Sequence, residues 1–214
     1  MFPGIHERFR TECIGIPPYP GSTFPRVAGF LSCRGRTTPS PSIRFLQGDV
    51  LSPRGHGPKI IVHVVSDATP NWGGNGVAVS IRRRWPKVQE EFRAWAASQR
   101  RLRLGDTHFR EAQDGIEIAS MICQHGYGDS ARPRLRYAAL ESALSLVAIR
   151  AKARSASLHM PRIGCGQAGG SWTLVEEIIG STLLDDAKLP VTVYDLPDAP
   201  PATGPRQLSL ADAS

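Results

Sequence analysis

Between Ile43 and Leu196 the hydrophobic positions switch repeatedly between a period of two and a period near 3.6, which predicts strands alternating with helices. IRFLQ (43–47) and KIIVHVV (59–65) read as strands, and the second is almost unbroken in apolar residues. Such a run belongs in the middle of a sheet with both faces covered. From Gly76 a helical spacing turns Val77, Ile81 and Trp85 to one side. Pro86 stops that helix because proline lacks the N–H the ladder needs, and a second helical segment resumes with Val88, Phe92 and Trp95. THFREA (107–112) and GIEIASMIC (115–123) form a strand pair around the turn residues Asp114 and Gly115. Leu140, Ala143, Leu144, Val147 and Ala148 mark the clearest helix, and a short strand, SLHM (157–160), follows it. Thr173 and Glu176 have the spacing of a capping box. Val175, Ile178, Ile179, Thr182 and Leu183 line one face of the last helix, and VTVYDL (191–196) closes the domain as a strand.

This order predicts an α/β fold of three layers, α/β/α, with helices on both faces of a mixed central sheet. Ligands in such sheets bind outside the carboxyl ends of the strands, where loops lead into helices. The ends of the chain have a different texture. Eleven of the eighteen prolines fall in the first 42 and last 18 residues, which also lack a sustained apolar period. The expected organisation is therefore a Pro/Gly-rich, poorly ordered extension over 1–42, one domain over 43–196, and a tail over 197–214.

Composition narrows the class without naming a function. At 214 residues with 41% hydrophobic positions the chain can bury one full core, and no stretch reaches the length of a membrane span. The first thirty residues lack the unbroken apolar core of a secretion signal, so the expected location is the cytoplasm. Cys13, Cys33, Cys123 and Cys165 have neither CxxC spacing nor disulfide-scaffold density, which predicts reduced thiols and no metal site. A net charge of +7 invites anionic partners. Arg82, Arg83, Arg84, Lys87, Arg93, Arg100, Arg101 and Arg103 concentrate that charge on one helix pair and the loop after it, where a solvated face is favoured over nucleic-acid binding because no nucleic-acid motif accompanies it.

Two loops stand where chemistry is expected. SDATPNWGGNG (66–76) leaves the central strand and enters a helix through Gly73, Gly74 and Gly76, and PRIGCGQAGGSW (161–172) repeats the arrangement with Gly164, Gly166, Gly169 and Gly170. Glycines let backbone N–H groups approach an anion, and a helix start adds positive potential. Each loop alone reads equally as a simple turn. Together at one sheet edge they suggest a diphosphate or a nucleoside diphosphate sugar. Neither is a Walker loop, since no GKS or GKT occurs, and GGNGVA lacks the full dinucleotide fingerprint.

HMPRIGCG (159–166), GD (48–49), GNGVA (74–78) followed by IRRRWP, and the terminal VTVYDL together resemble a macrodomain. The similarity covers about residues 43–196 and is nearest to the subgroup of terminal ADP-ribose protein glycohydrolase and related bacterial macrodomains. The resemblance implies that Asp49 accepts a hydrogen bond from the adenine amino group, with Val50 beside it, and that Tyr194 and Leu196 help close the adenine pocket. It implies that the backbone of Ile163, Gly164, Cys165 and Gly166 holds the diphosphate. Ser66, Gly74, Asn75, Gly76 and Val77 would surround the distal ribose. The implied partners are ADP-ribose and ADP-ribosylated proteins, with no cofactor.

Two positions depart from that subgroup. Its catalytic lysine and aspartate fall at Gln124 and Ala168, which can supply neither an amine nor a proton acceptor. Asp67, directly after the central strand, and His125 are then the candidate catalytic groups, to polarise water or steady an oxocarbenium-like centre. Turn capping for Asp67 and a plain rim position for His125 are the alternatives. The expected activity is hydrolytic removal of ADP-ribose from acidic side chains. The competing readings are a non-catalytic reader of ADP-ribose, an ADP-ribose 1″-phosphate phosphatase, and a basic nucleic-acid-associated protein.

Overall fold

The computed structural model describes residues 41–128 and 130–197, all within the unit Pro39–Ser214. The readings for residues 1–40 and 198–214 lie outside the described residues.

Six strands form one sheet in the order β1 (Ile43–Gln47), β6 (Val191–Asp195), β5 (Ser157–Met160), β2 (Lys59–Ser66), β4 (Ile116–Gln124), β3 (Thr107–Gln113). All neighbours are parallel except β3, which is antiparallel to β4 through the turn at Gly115. β2 lies between β5 and β4, as its apolar run requires, and every residue of β4 is buried. Alternate residues of β2 serve opposite layers. Ile60 and Val62 pack with α3 (Tyr137–Arg154) and α4 (Trp172–Ile179), while Ile61 and Val65 pack with α1 (Val77–Arg84) and α2 (Pro86–Ser98). The three layers expected from the pattern are present.

Pro86 divides α1 from α2 and occupies the first turn of α2, where its missing N–H costs no hydrogen bond. The capping box does not form. α4 is preceded by Ser171 as its N-cap, with no side-chain cap, so Thr173 already sits inside the first turn. The last helix also differs in kind, because a π turn over Gly180–Asp186 continues α4. Val175, Ile179, Leu183 and Ala187 are buried at a stride of four, which drifts around an α-helix of 3.6 residues per turn. The wider π turn absorbs that drift and keeps the row against the core.

Candidate functional site

The carboxyl ends of β1, β2, β4, β5 and β6 open into a cleft of about 770 Å³. Its size suits a ligand of nucleotide dimensions. At one end lie Asp49 and Val50 with Tyr194 and Leu196, in the middle the two glycine loops, and at the other end Ser66, Gln124 and Tyr127.

The two loops meet over the cleft. A Cβ added at Gly73 would lie 2.9 Å from Gln167 Oε1 and 3.4 Å from Tyr127 Cε1, so the two loops approach closely here and a side chain would displace the Gln167 amide. Gly76, the N-cap of α1, has φ 72° and ψ −158°, a conformation open almost only to glycine. The backbone N–H groups of Gly74, Asn75, Gly76 and Val77 on one side, and of Ile163, Gly164 and Gly166 on the other, have no acceptor among the described residues. With the start of α1 beside them, these donors make the middle of the cleft complementary to an anion. The second loop is held in shape by Gly170 N–H to Gly164 O (2.8 Å) and by Leu135 and Arg134 N–H to Ala168 O (3.0 and 2.8 Å).

Asp49 Oδ1 accepts the Leu51 N–H at 2.9 Å, which fixes the carboxylate, and Oδ2 has no partner among the described residues. Tyr194 is buried, and its hydroxyl accepts from Arg54 N–H (2.9 Å) and bonds with His159 Nδ1 (3.2 Å). Its phenol is thus occupied and only its ring surface borders the cleft. Leu196 lies just beyond β6, which ends at Asp195, and is 62% exposed at the rim. Arg162 also lines the cleft, but it grips Asp195 with two hydrogen bonds of 2.7 and 2.8 Å and stacks over Trp172.

At the far end Ser66 Oγ and Gln124 Nε2 both donate to Gly126 O, at 3.2 and 2.7 Å. The strand register explains their meeting. An irregularity after Val65 sets Ser66 opposite Gln124 instead of Cys123. The Tyr127 hydroxyl donates to Asn71 O at 3.3 Å and so bridges the loop after β4 to the loop after β2. Burial raises its pKa above the usual tyrosine value.

Three expected site residues are not among those lining the cleft: Asp67, His125 and Cys165. Asp67 Oδ2 receives His125 Nδ1 at 2.8 Å and Asp67 Oδ1 receives the Gly126 N–H at 3.1 Å, so both oxygens are engaged in joining the two loops. The Cys165 N–H turns back to Arg162 O (3.3 Å) and its thiol to Ile163 O (3.4 Å). Burial pushes that thiol up to about 11, away from a reactive thiolate. The sequence also hid His63 and Trp72, which border the cleft floor with their rings edge to face, 4.9 Å between centroids. His63 is fully buried against Ser120 Oγ at 2.8 Å, and burial lowers its pKa to about 3. A histidine inside an apolar strand run was the available signal.

A six-stranded mixed sheet between two helical layers, with a glycine-lined anion cleft at its carboxyl edge, is the macrodomain architecture. No family model matches the chain. It is 38% identical to a macrodomain protein from Streptomyces coelicolor, with a TM-score of 0.61, covering 72% of this chain and 99% of that one. The chain belongs to the macrodomain family. A Bacteroides thetaiotaomicron protein of unknown function is 40% identical, with a TM-score of 0.68 and coverage of 73% and 99%. Chromodomain-helicase-DNA-binding protein 1-like from Mus musculus is 31% identical over 168 residues, which are 74% of this chain but 18% of that protein. The chain thus spans under a fifth of the curated relatives it matches. Thermosipho africanus DarTG in complex with ADP-ribose shares the fold, at 18% identity and a TM-score of 0.54.

Proposed function

We propose that the cleft binds ADP-ribose and that the protein hydrolyses the ester joining it to acidic side chains of other proteins. The observation that carries this reading is the set of N–H donors without an acceptor among the described residues, on two loops that line one cleft with a carboxylate at one end. Asp49 Oδ2 takes the adenine amino group, the amides of Gly164 and Gly166 take the diphosphate, and the space by Ser66, Gln124 and Tyr127 takes the distal ribose. Water then cleaves the bond between C1″ and the ester oxygen, giving ADP-ribose and a free carboxylate. A carboxylate with a pKa near 4 leaves without an acid catalyst. Orientation of water by the ligand's own phosphate, with backbone electrostatics, supplies the remaining assistance.

A second reading, a reader that holds ADP-ribose without cleaving it, is favoured by one observation. Among the described residues no carboxylate except Asp49 lines the cleft, and Gln124 carries no nucleophile. Incubation with glutamate-linked ADP-ribosylated protein decides between them. Free ADP-ribose above the buffer blank supports hydrolysis, and binding without release leaves the reader. Calorimetry with Asp49→Ala tests the pocket itself: loss of one charge-assisted hydrogen bond lowers affinity roughly tenfold or more, and unchanged affinity removes the adenine assignment.

A further inference from the structure

The charges bordering the cleft leave one cation unexplained. Arg162 is neutralised by Asp195. Arg83, exposed on α1, borders the cleft and makes no hydrogen bond or ion pair among the described residues. Ser80 lies one turn before it on the same helix, also exposed and also bordering the cleft. Residues three apart share one helix face, so the hydroxyl and the guanidinium present themselves together.

Their position along the cleft is fixed by the next residue. Arg84 Nη1 donates to Ser52 Oγ at 3.1 Å, which seats the end of α1 beside the loop that carries Asp49 and Val50. Arg83 therefore stands at the adenosine end, two helical turns from the donors at Gly76. ADP-ribose has its anionic groups in the middle of the cleft, against those donors. At the adenosine end it offers only a neutral base and neutral ribose hydroxyls. A guanidinium can stack on the base or donate to a ribose hydroxyl, but neither partner neutralises its charge, whereas a phosphoryl oxygen does and suits its planar fork.

We propose that Arg83 and Ser80 form a subsite for an anion attached to the adenosine ribose, so that the cleft selects ADP-ribose carrying a phosphoryl group on a hydroxyl of that ribose. This rests on the reading of the cleft as an ADP-ribose site. In a chain of ADP-ribose that hydroxyl carries a glycosidic ribose instead, and the nearest further phosphoryl group lies one sugar beyond it.

Calorimetry on the full chain at low and high salt, with ADP-ribose, its 2′- and 3′-phosphates and a dimer of ADP-ribose, tests the subsite. At least one of the two monophosphates is expected to bind about tenfold tighter than ADP-ribose at low salt, with the preference shrinking as salt screens the contact. In Arg83→Gln the ratio of affinities is expected to fall to within about twofold of one, and in Ser80→Ala to fall part of the way. Preference for a monophosphate identifies the monoester as the ligand, and preference for the dimer alone overturns the phosphoryl subsite. Equal affinity for all four ligands, or a preference that survives Arg83→Gln, overturns the subsite while leaving the ADP-ribose site standing. No binding of ADP-ribose by the wild-type chain overturns both.

Discussion

His125 Nδ1 lies 2.8 Å from Asp67 Oδ2, and this contact ties the carboxyl end of β4 to that of β2. The Gly126 N–H on the other carboxylate oxygen completes a clasp at the rim. Both residues lie outside the cleft lining, and their hydrogen bonds join the loops that form it.

Removing the clasp separates support from chemistry. Asp67→Ala leaves the Gly126 N–H and the His125 ring without their acceptor, and is expected to cost about 1–2 kcal/mol of stability. Thermal unfolding checks this as a fall in Tm. Release of ADP-ribose by the folded fraction is expected to persist. Abolished release at an unchanged Tm would assign the carboxylate a chemical role.

Two glycines of the second loop answer differently to a methyl group. An added Cβ at Gly170 would sit 2.4 Å from Leu135 Cδ2 and 2.9 Å from Gly164 O. Gly170→Ala is expected to lose about 1–3 kcal/mol through overpacking. At Gly166 nothing lies within 4 Å, so Gly166→Ala keeps the wild-type Tm and weakens ligand binding by crowding the amide. Equal Tm losses in the two variants would contradict the loop geometry.

Two buried histidines make stability depend on pH. Burial lowers His63 to about 3 and His159 to about 4 from the usual 6.5. In the unfolded chain both bind protons below 6.5, while the folded protein stays neutral at these sites, so the unfolded state takes up more protons as pH falls. Their contribution is complete above 6.5 and is lost downward through each window, ending at about 4 for His159 and about 3 for His63. Each group removes up to about 1.4 kcal/mol per pH unit. Chemical denaturation at stepped pH measures the slope, and His63→Asn is expected to flatten it.

Gln124 ends β4 in the cleft wall, buried, with its amide fixed on Gly126 O. An amide forms no imine with C1″ of ADP-ribose, so borohydride traps no adduct on the wild-type chain. Gln124→Lys places an amine in the same buried position, where desolvation favours its neutral, nucleophilic form. A trapped mass increase is expected in that variant alone. Its absence there would show that C1″ lies out of reach of this wall.

The order of strands and helices, the central place of β2, the break at Pro86 and the two glycine loops were legible in the chain because each is written in local spacing or in a residue's own backbone limits. The glycines of both loops could be named for the same reason, and Asp49 only through the resemblance to a macrodomain. The capping box does not form because α4 takes Ser171 as its N-cap, two residues before Thr173, and the stride of four that draws in a π turn shows only against a core. Where side chains point after a strand ends was settled by tertiary structure alone. The irregularity after Val65 sets Ser66 opposite Gln124, the parallel pairing of β2 and β4 brings Asp67 to His125, and α1 ends with Arg84 on Ser52, beside the loop that carries Asp49. Those contacts join residues up to 58 positions apart, and no periodicity records which partner lies across a sheet.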